Sequence, residues 1–140
     1  AIVMFTEANG EKFSLKPGPG EDGTPIVFPR QQACNLCQKI SGDYLKCTEV
    51  CPTGALAKLM KTEVATKVRM GRARLDKTLC YSYNDRSCGV CIRACPFPGT
   101  AMKTGQGERP IFDPNFCVGC GLCERSCIRY PQAIMVVADA

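Results

Sequence analysis

The residues able to do chemistry in this chain are its cysteines: there are 12, and no histidine. In order they form three quartets: Cys34, Cys37, Cys47, Cys51; Cys80, Cys88, Cys91, Cys95; and Cys117, Cys120, Cys123, Cys127. Every quartet ends in C-x3-C. Pro52 and Pro96 follow the first two, and Ile128 follows the third. The third quartet reads C-x2-C-x2-C-x3-C, a spacing by which thiolates hold [4Fe–4S] clusters. Cysteines two apart on a tight loop supply three corners of a cubane, and the fourth thiolate comes three residues later. Small residues such as Gly119 and Gly121 let backbone N–H groups approach the sulfurs and tune the potential. Proline after the last cysteine turns the chain out of the short helix that carries it.

Two rival uses of the cysteines fit less well. Structural zinc also takes C-x2-C pairs, but it often recruits histidine and does not require the repeated C-x3-C ending. A disulfide framework is open to any even number of cysteines, but would not produce a metal-ligand spacing three times. Three [4Fe–4S] clusters on twelve cysteine ligands are therefore expected.

The elements that position these ligands repeat as well. A short apolar stretch and a turn precede each quartet, at Ile26–Pro29, Ala73–Asp76 and Ile111–Pro114. A small residue and then an aliphatic one or Met follow it, at Ala55-Leu56, Ala101-Met102 and Ala133–Val137. Each unit reads as strand, cluster loop, short helix, strand. The expected fold class is α+β, built of bacterial ferredoxin-like repeats and rich in loops. One polyferredoxin domain is expected, with cluster units at 26–56, 70–102 and 110–137 behind an N-terminal strand and Gly/Pro loop over 1–25. Residues 56–68 have helical character, and 103–110 read as a surface hairpin turn around Gly105 and Gly107. Ala1–Phe5 resembles Ala133–Val137, as the trailing strand of another unit would, so a further quartet upstream and a fourth cluster are expected.

Composition bounds the rest. With 140 residues, 7% aromatics and no Trp, the core is thin and staples are needed. No run of 18 apolar residues exists to span a membrane, and no signal peptide is visible. The formal charge of +5 counts thiols as neutral. Twelve thiolates and three cluster cores of about +2 each bring it to about −1, so the basic residues offset cluster charge and do not call for nucleic acid. The chain shows no P-loop, nucleophile elbow or dinucleotide glycine motif, and no basic–aromatic interleaving. An electron carrier, not an enzyme by itself, is the expected class.

Three segments carry a resemblance. They are Cys47-x3-Cys51-Pro52-Thr53-Gly54-Ala55-Leu56; Met70-Gly71-x-Ala73-x-Leu75 followed by Cys80-x7-Cys88-x2-Cys91-x3-Cys95-Pro96; and Cys117-x-Gly119-Cys120-Gly121-x-Cys123-Glu124-x2-Cys127. Over roughly residues 20–137 the chain resembles the NapG/MauM group of ferredoxin-type proteins, which accompany periplasmic nitrate reductases and related systems. The x7 gap and the missing proline after Cys127 are shared with that group. The nine residues between Cys37 and Cys47 exceed its usual spacing.

Members typically carry four cluster motifs behind a twin-arginine leader, and the quartets here match the second to fourth. The resemblance implies periplasmic location after twin-arginine export, with the cytoplasm as the alternative. It implies redox protein partners: a membrane quinol-oxidising subunit as donor, and a periplasmic oxidoreductase or cytochrome as acceptor. The alternatives are a maturation or assembly ferredoxin for a partner redox enzyme, or a soluble diffusing polyferredoxin. It also implies an exchange of fourth ligands: Cys95 with Cys34, Cys37 and Cys47; Cys51 with Cys80, Cys88 and Cys91; Cys127 with a cluster upstream. The simpler possibility is that each quartet serves itself.

Two further features stand out. The stretch 57–77 holds Lys58, Lys61, Lys67, Arg69, Arg72, Arg74 and Lys77 against Glu63 and Asp76. It reads as a solvated face, with docking of an acidic redox partner as the alternative. Tyr81 and Tyr83 read as packing residues, with shielding of a cluster as the alternative.

Overall fold

The computed structural model describes residues 2–12, 18–20 and 22–138. It is an α+β arrangement in which no strand exceeds four residues and no helix six among the described residues. Helices this short are not stable alone, so packing and ligation must hold them.

The chain opens with β1 (Ile2–Met4). Next comes α1 (Glu7–Lys12), with Glu7 in its first turn and Lys12 in its last, complementing the helix dipole. Thr6 Oγ1 accepts the Asn9 N–H at 3.3 Å and caps it. This helix corrects the expectation of a loop over 8–25; residues 13–17 and 21 of that stretch lie outside the described residues. β2 (Pro25–Val27) returns antiparallel to β1, with Ile2 opposite Val27. The strand expected at the N-terminus is thus present. α2 (Pro29–Gln32) starts on Pro29, whose fixed φ suits a first helical position.

α3 (Lys46–Glu49) follows Cys34 and Cys37 and carries Cys47. The helical stretch expected over 56–68 is reduced to a tight turn at Lys61–Glu63 and α4 (Val64–Lys67). No strand follows Cys51 among the described residues, which corrects the trailing strand expected at Ala55-Leu56. β3 (Arg72–Leu75) leads into the second quartet, and α5 (Val90–Ala94) carries Cys91. β4 (Met102–Thr104) and β5 (Pro110–Phe112) form the expected hairpin across Gly105–Arg109. α6 (Leu122–Ser126) carries Cys123, and β6 (Ile134–Val137) closes antiparallel against β3.

The second and third units therefore interlock. The leading strand of each pairs with the trailing strand of the other, and α5 packs on α6. The same bond recurs at both junctions: Asp76 N–H donates to Ala133 O at 2.7 Å, and Asp113 N–H to Ala101 O at 3.0 Å. Ala73, Met102, Cys123 and Ile134 form the buried core between these units. A second core of Leu36, Cys37, Leu45, Val64, Val118 and Cys120 joins the first unit to the third.

Candidate metal centres

α5 and α6 deliver the cysteines. Gly89 and Gly121, both left-handed, open these helices, and Cys95 and Cys127 close them. Gly121 admits no side chain, because a Cβ there would sit 2.5 Å from Pro29 Cβ. Gly119, at φ +73°, is tighter still: its Cβ would meet the Gly71 backbone N and O at 2.5 Å. This contact seats the third cysteine loop on the start of β3.

The packing of α5 on α6 crosses the fourth ligands. Cys80, Cys88, Cys91 and Cys127 border one hollow, and Cys95, Cys117, Cys120 and Cys123 border another. Each is a small hollow, partly open to solvent. The thiols respond to this crowding. Burial pushes Cys91 up to about 11, with Cys80, Cys88 and Cys127 adding to it. Burial pushes Cys120 up to about 11, with Cys95, Cys117 and Cys34 adding to it. Cys123 is raised by burial first, then by Cys120, Cys117, Cys91 and Cys95. Cys95 is raised by burial and by Cys117, against a bond from the Phe97 backbone. A bound cationic core would offset the raised thiols and release their protons.

The chemistry of the donor set suits a cluster: four cysteine thiols border each hollow, and thiolates are the ligands of [4Fe–4S] groups. Ser82 Oγ is buried without a partner and its residue lines the Cys80 hollow. An unpaired buried hydroxyl costs about 1–3 kcal/mol, and a sulfur acceptor in that hollow would remove the cost.

The first unit differs. Asn35 Oδ1 accepts the Cys37 N–H at 3.1 Å in a side-chain turn, and Leu36 and Cys37 take positive φ of 53° and 54°. The Lys46 N–H donates to Cys37 Sγ at 3.4 Å. Burial raises the Cys47 thiol, with Cys34 and Cys37 as its charged neighbours. Cys51 is not among them. The Leu56 backbone N–H and then the Thr53 hydroxyl, 3.7 Å from its Sγ, lower Cys51 to about 7. Three cysteines thus come together and the fourth stands apart.

This trio abuts the Cys95 group and not the Cys80 group. The Cys34 N–H donates to Cys120 O at 2.8 Å, and Cys37 and Cys120 share a core. The spatial order of the three groups is therefore first unit, Cys95 group, Cys80 group. Arg30 on α2 ties the ends together by donating to Glu124 O and Cys127 O, each at 2.7 Å. Buried Glu124 in turn accepts the Val136 N–H at 2.6 Å and fixes α6 to β6. Neither role has a sequence signal, since both depend on long-range packing.

The grouping differs from the exchange that the resemblance implies: Cys95 borders a hollow with Cys117, Cys120 and Cys123, Cys127 borders one with Cys80, Cys88 and Cys91, and Cys51 borders neither. The physical reason is strand pairing: units two and three pair both their strands, which places their helices side by side. Tyr81 lines the Cys80 hollow. Tyr83 instead bonds Pro110 O at 3.2 Å as a packing residue. The basic stretch 57–77 is largely engaged locally: Lys67 with Glu63, Lys61 with Ile40 O, Lys58 over the Tyr44 ring, Arg69 on the Ala65 and Val68 carbonyls.

The fold and the cysteine-lined hollows define a ferredoxin-type protein. A model of the 4Fe-4S binding domain matches residues 110–128. The methylamine utilization ferredoxin-type protein MauM of Methylobacillus flagellatus is 39% identical over 85% of the chain and 51% of that protein. MauM of Methylophilus methylotrophus is 35% identical over 85% of the chain and 53% of that protein. The ferredoxin-type protein NapG of Haemophilus influenzae is 32% identical over 85% and 44%. No solved structure gives a significant match. The chain belongs to the MauM and NapG group of ferredoxin-type proteins. It spans about half the length of the curated relatives it matches.

Proposed function

We propose that the chain is an electron conduit holding [4Fe–4S] clusters in a row, with two of the sites sharing ligands crosswise. The observation that carries this is the pair of hollows, each framed by three cysteines of one unit and one of the other. Bound clusters would supply reversible one-electron chemistry; the protein supplies position, burial and hydrogen bonds. Cys80, Cys88, Cys91 and Cys127 hold one cluster. Cys95, Cys117, Cys120 and Cys123 hold the next. Cys34, Cys37 and Cys47 hold a third, whose fourth thiolate comes from outside the described residues. Cys51 serves a cluster of that same outside unit.

The β1–β2 ladder supports this last assignment. It stands before the first quartet as the β4–β5 ladder stands before the third, and β4 is the trailing strand of its neighbour. A preceding half-unit would complete the first trio as unit two completes unit three. With polyferredoxin units at 26–56, 70–102 and 110–137, such a half-unit would bring a fourth cluster.

The row connects a donor to an acceptor. We take the donor to be a membrane quinol-oxidising subunit and the acceptor a periplasmic oxidoreductase or cytochrome, with the chain exported to the periplasm through the twin-arginine route, as the family resemblance implies. No helix among the described residues is long and apolar enough to cross a membrane. Iron and acid-labile sulfide, measured on anaerobic protein, test the cluster count. About eight tightly held iron are expected for residues 1–140 alone, and about sixteen for a chain that includes the preceding unit. Zinc in place of iron would overturn the assignment.

The specific observation favouring a conduit over a maturation factor is the continuous row of three cysteine groups. Loss of a conduit leaves the partner enzyme loaded with its cofactor but without electrons. Loss of a maturation factor leaves it unloaded.

A further inference from the structure

The Cys80 hollow lies at one end of the row, and its outer wall is unlike the rest of the surface. Tyr81, Ile128 and Arg129 line it. Tyr81 lies between two guanidinium groups: Arg86 at 5.8 Å and Arg129 at 5.7 Å from its ring centre. Ile128 is 64% exposed and Tyr130 83% exposed, so two large side chains face solvent beside the last ligand, Cys127. Ile128 stands where the other two quartets have Pro52 and Pro96. An adjoining groove is lined by Ser82, Asp85, Arg86, Gln106 and Arg109. Arg109 is fixed there by its Nε bond to Ser82 O at 3.1 Å and lies 5.4 Å from the Tyr83 ring centre.

The charge on this wall is one-sided. Arg86, Arg109 and Arg129 stand against Asp85. The nearby Glu108 is matched by Arg93 at 3.2 Å and by the Ser87 hydroxyl. Arginines stacked on tyrosine rings are held in place, so little side-chain freedom is lost when they meet a carboxylate. Exposed aromatic and aliphatic groups ringed by arginine match the composition of protein–protein hot spots.

We propose that the Tyr81–Arg86–Arg129–Tyr130 face is the docking surface for an acidic redox protein, which exchanges one electron at a time with the cluster held by Cys80, Cys88, Cys91 and Cys127. The inference rests on the cluster assignment above. Each encounter oxidises one partner by one electron and reduces the other by one. No bond forms, and the charge pattern steers the partner to the Cys80 end of the row.

The test uses the cluster-loaded protein and flavodoxin, an acidic one-electron carrier, as probe. Binding to the oxidised protein is measured by isothermal titration at low and high salt. Arg86→Glu/Arg129→Glu is compared with the control Lys58→Glu/Arg69→Glu on the basic stretch. Iron and sulfide content must match the unmodified protein, which separates failure of docking from failure of the cluster assignment. The expected result is binding weakened about tenfold or more by the arginine reversals and little by the control, with the difference shrinking at high salt. Tyr130→Ser should weaken binding without changing its salt dependence. Equal binding by both charge variants overturns the proposal. So does a pattern in which the arginine reversals move only the reduction potential, since the arginines would then serve the cluster's charge alone. Arginine-dependent binding to phosphatidylglycerol vesicles with no flavodoxin binding would also overturn it, in favour of a membrane surface.

Discussion

The first cysteine unit and the interlocked second and third units share the C-x3-C ending of their quartets and reach different ends. Units two and three each give a strand, a helix and a cysteine to the other, and both hollows are framed by four thiols. The first unit gives a strand to β1 and a cysteine trio to nothing that completes it; α3 and Cys51 remain without counterparts. Spacing therefore specifies a loop able to grip a cluster. Whether the grip closes depends on a neighbour of the same build.

The sharpest break of this comparison is loss of a ligand on each side. Cys123 is buried in the core between units two and three, whereas Cys47 is half-buried at the edge of the first. Cys123→Ala should remove one cluster's share of the visible iron–sulfur absorbance and lower the midpoint of thermal unfolding by more than about 15 °C, because ligation and folding are coupled. Cys47→Ala should cost less than half of that. Equal losses would mean that the first unit is as firmly built as the pair.

Two glycines give the next contrast. Gly119→Ala meets the Gly71 backbone at 2.5 Å and strains a φ of +73°. Together these should cost about 2–5 kcal/mol in denaturant unfolding. Gly54, at φ +68° in the first unit, has nothing within 4 Å of a built Cβ. Gly54→Ala should cost only about 1 kcal/mol, the strain of a left-handed residue alone.

Arg30 tests how the first unit is joined to the others. Arg30→Ala strips the Glu124 and Cys127 carbonyls of their donor, at a cost of about 1.5–3 kcal/mol for bonds from a charged group. Amide exchange should quicken at the Cys34 N–H and leave the β3–β6 ladder protected.

Cys51 gives a pH signature. Its thiol is lowered from 9.0 to about 7, chiefly by the Leu56 backbone N–H, so the reactive thiolate grows as pH rises through about 7. In residues 1–140 alone, iodoacetamide should label Cys51 with that midpoint. A midpoint near 9 would remove the hydrogen bonds from the account. Protection of Cys51 in a chain that includes the preceding unit would complete the parallel with Cys127.

The smallest effect expected is at Ser82. Ser82→Ala should leave iron content unchanged and lower the potential of the Cys80 site, because a donor to reduced, more negative sulfur is lost. An unchanged potential would place the hydroxyl elsewhere.

The cysteine loops were legible in the sequence because metal-binding loops are local: Cys117 to Cys123 span seven residues, and their spacing marks the candidate site. The strands at 2–4, 25–27, 72–75, 102–104, 110–112 and 134–137 were legible from the repeated apolar flanks. The partner of each fourth cysteine was not. Cys95 and Cys127 are placed by which strands pair across 60 residues of chain, and spacing carries no trace of that. The helix at Glu7–Lys12 hid behind the glycines and prolines that follow it. Arg30 and Glu124 hid because an arginine on a four-residue helix and a glutamate between ligands look like surface residues until the units pack.

The most direct test is a cysteine-labelling map of the Cys127→Ala protein after anaerobic cluster loading. Iodoacetamide followed by peptide mass spectrometry reports which thiols are freed. Crosswise ligation predicts that Cys80, Cys88 and Cys91 become reactive while Cys117, Cys120 and Cys123 stay protected. Labelling of Cys117, Cys120 and Cys123 with Cys80, Cys88 and Cys91 protected would show that each quartet serves itself, and would contradict the account.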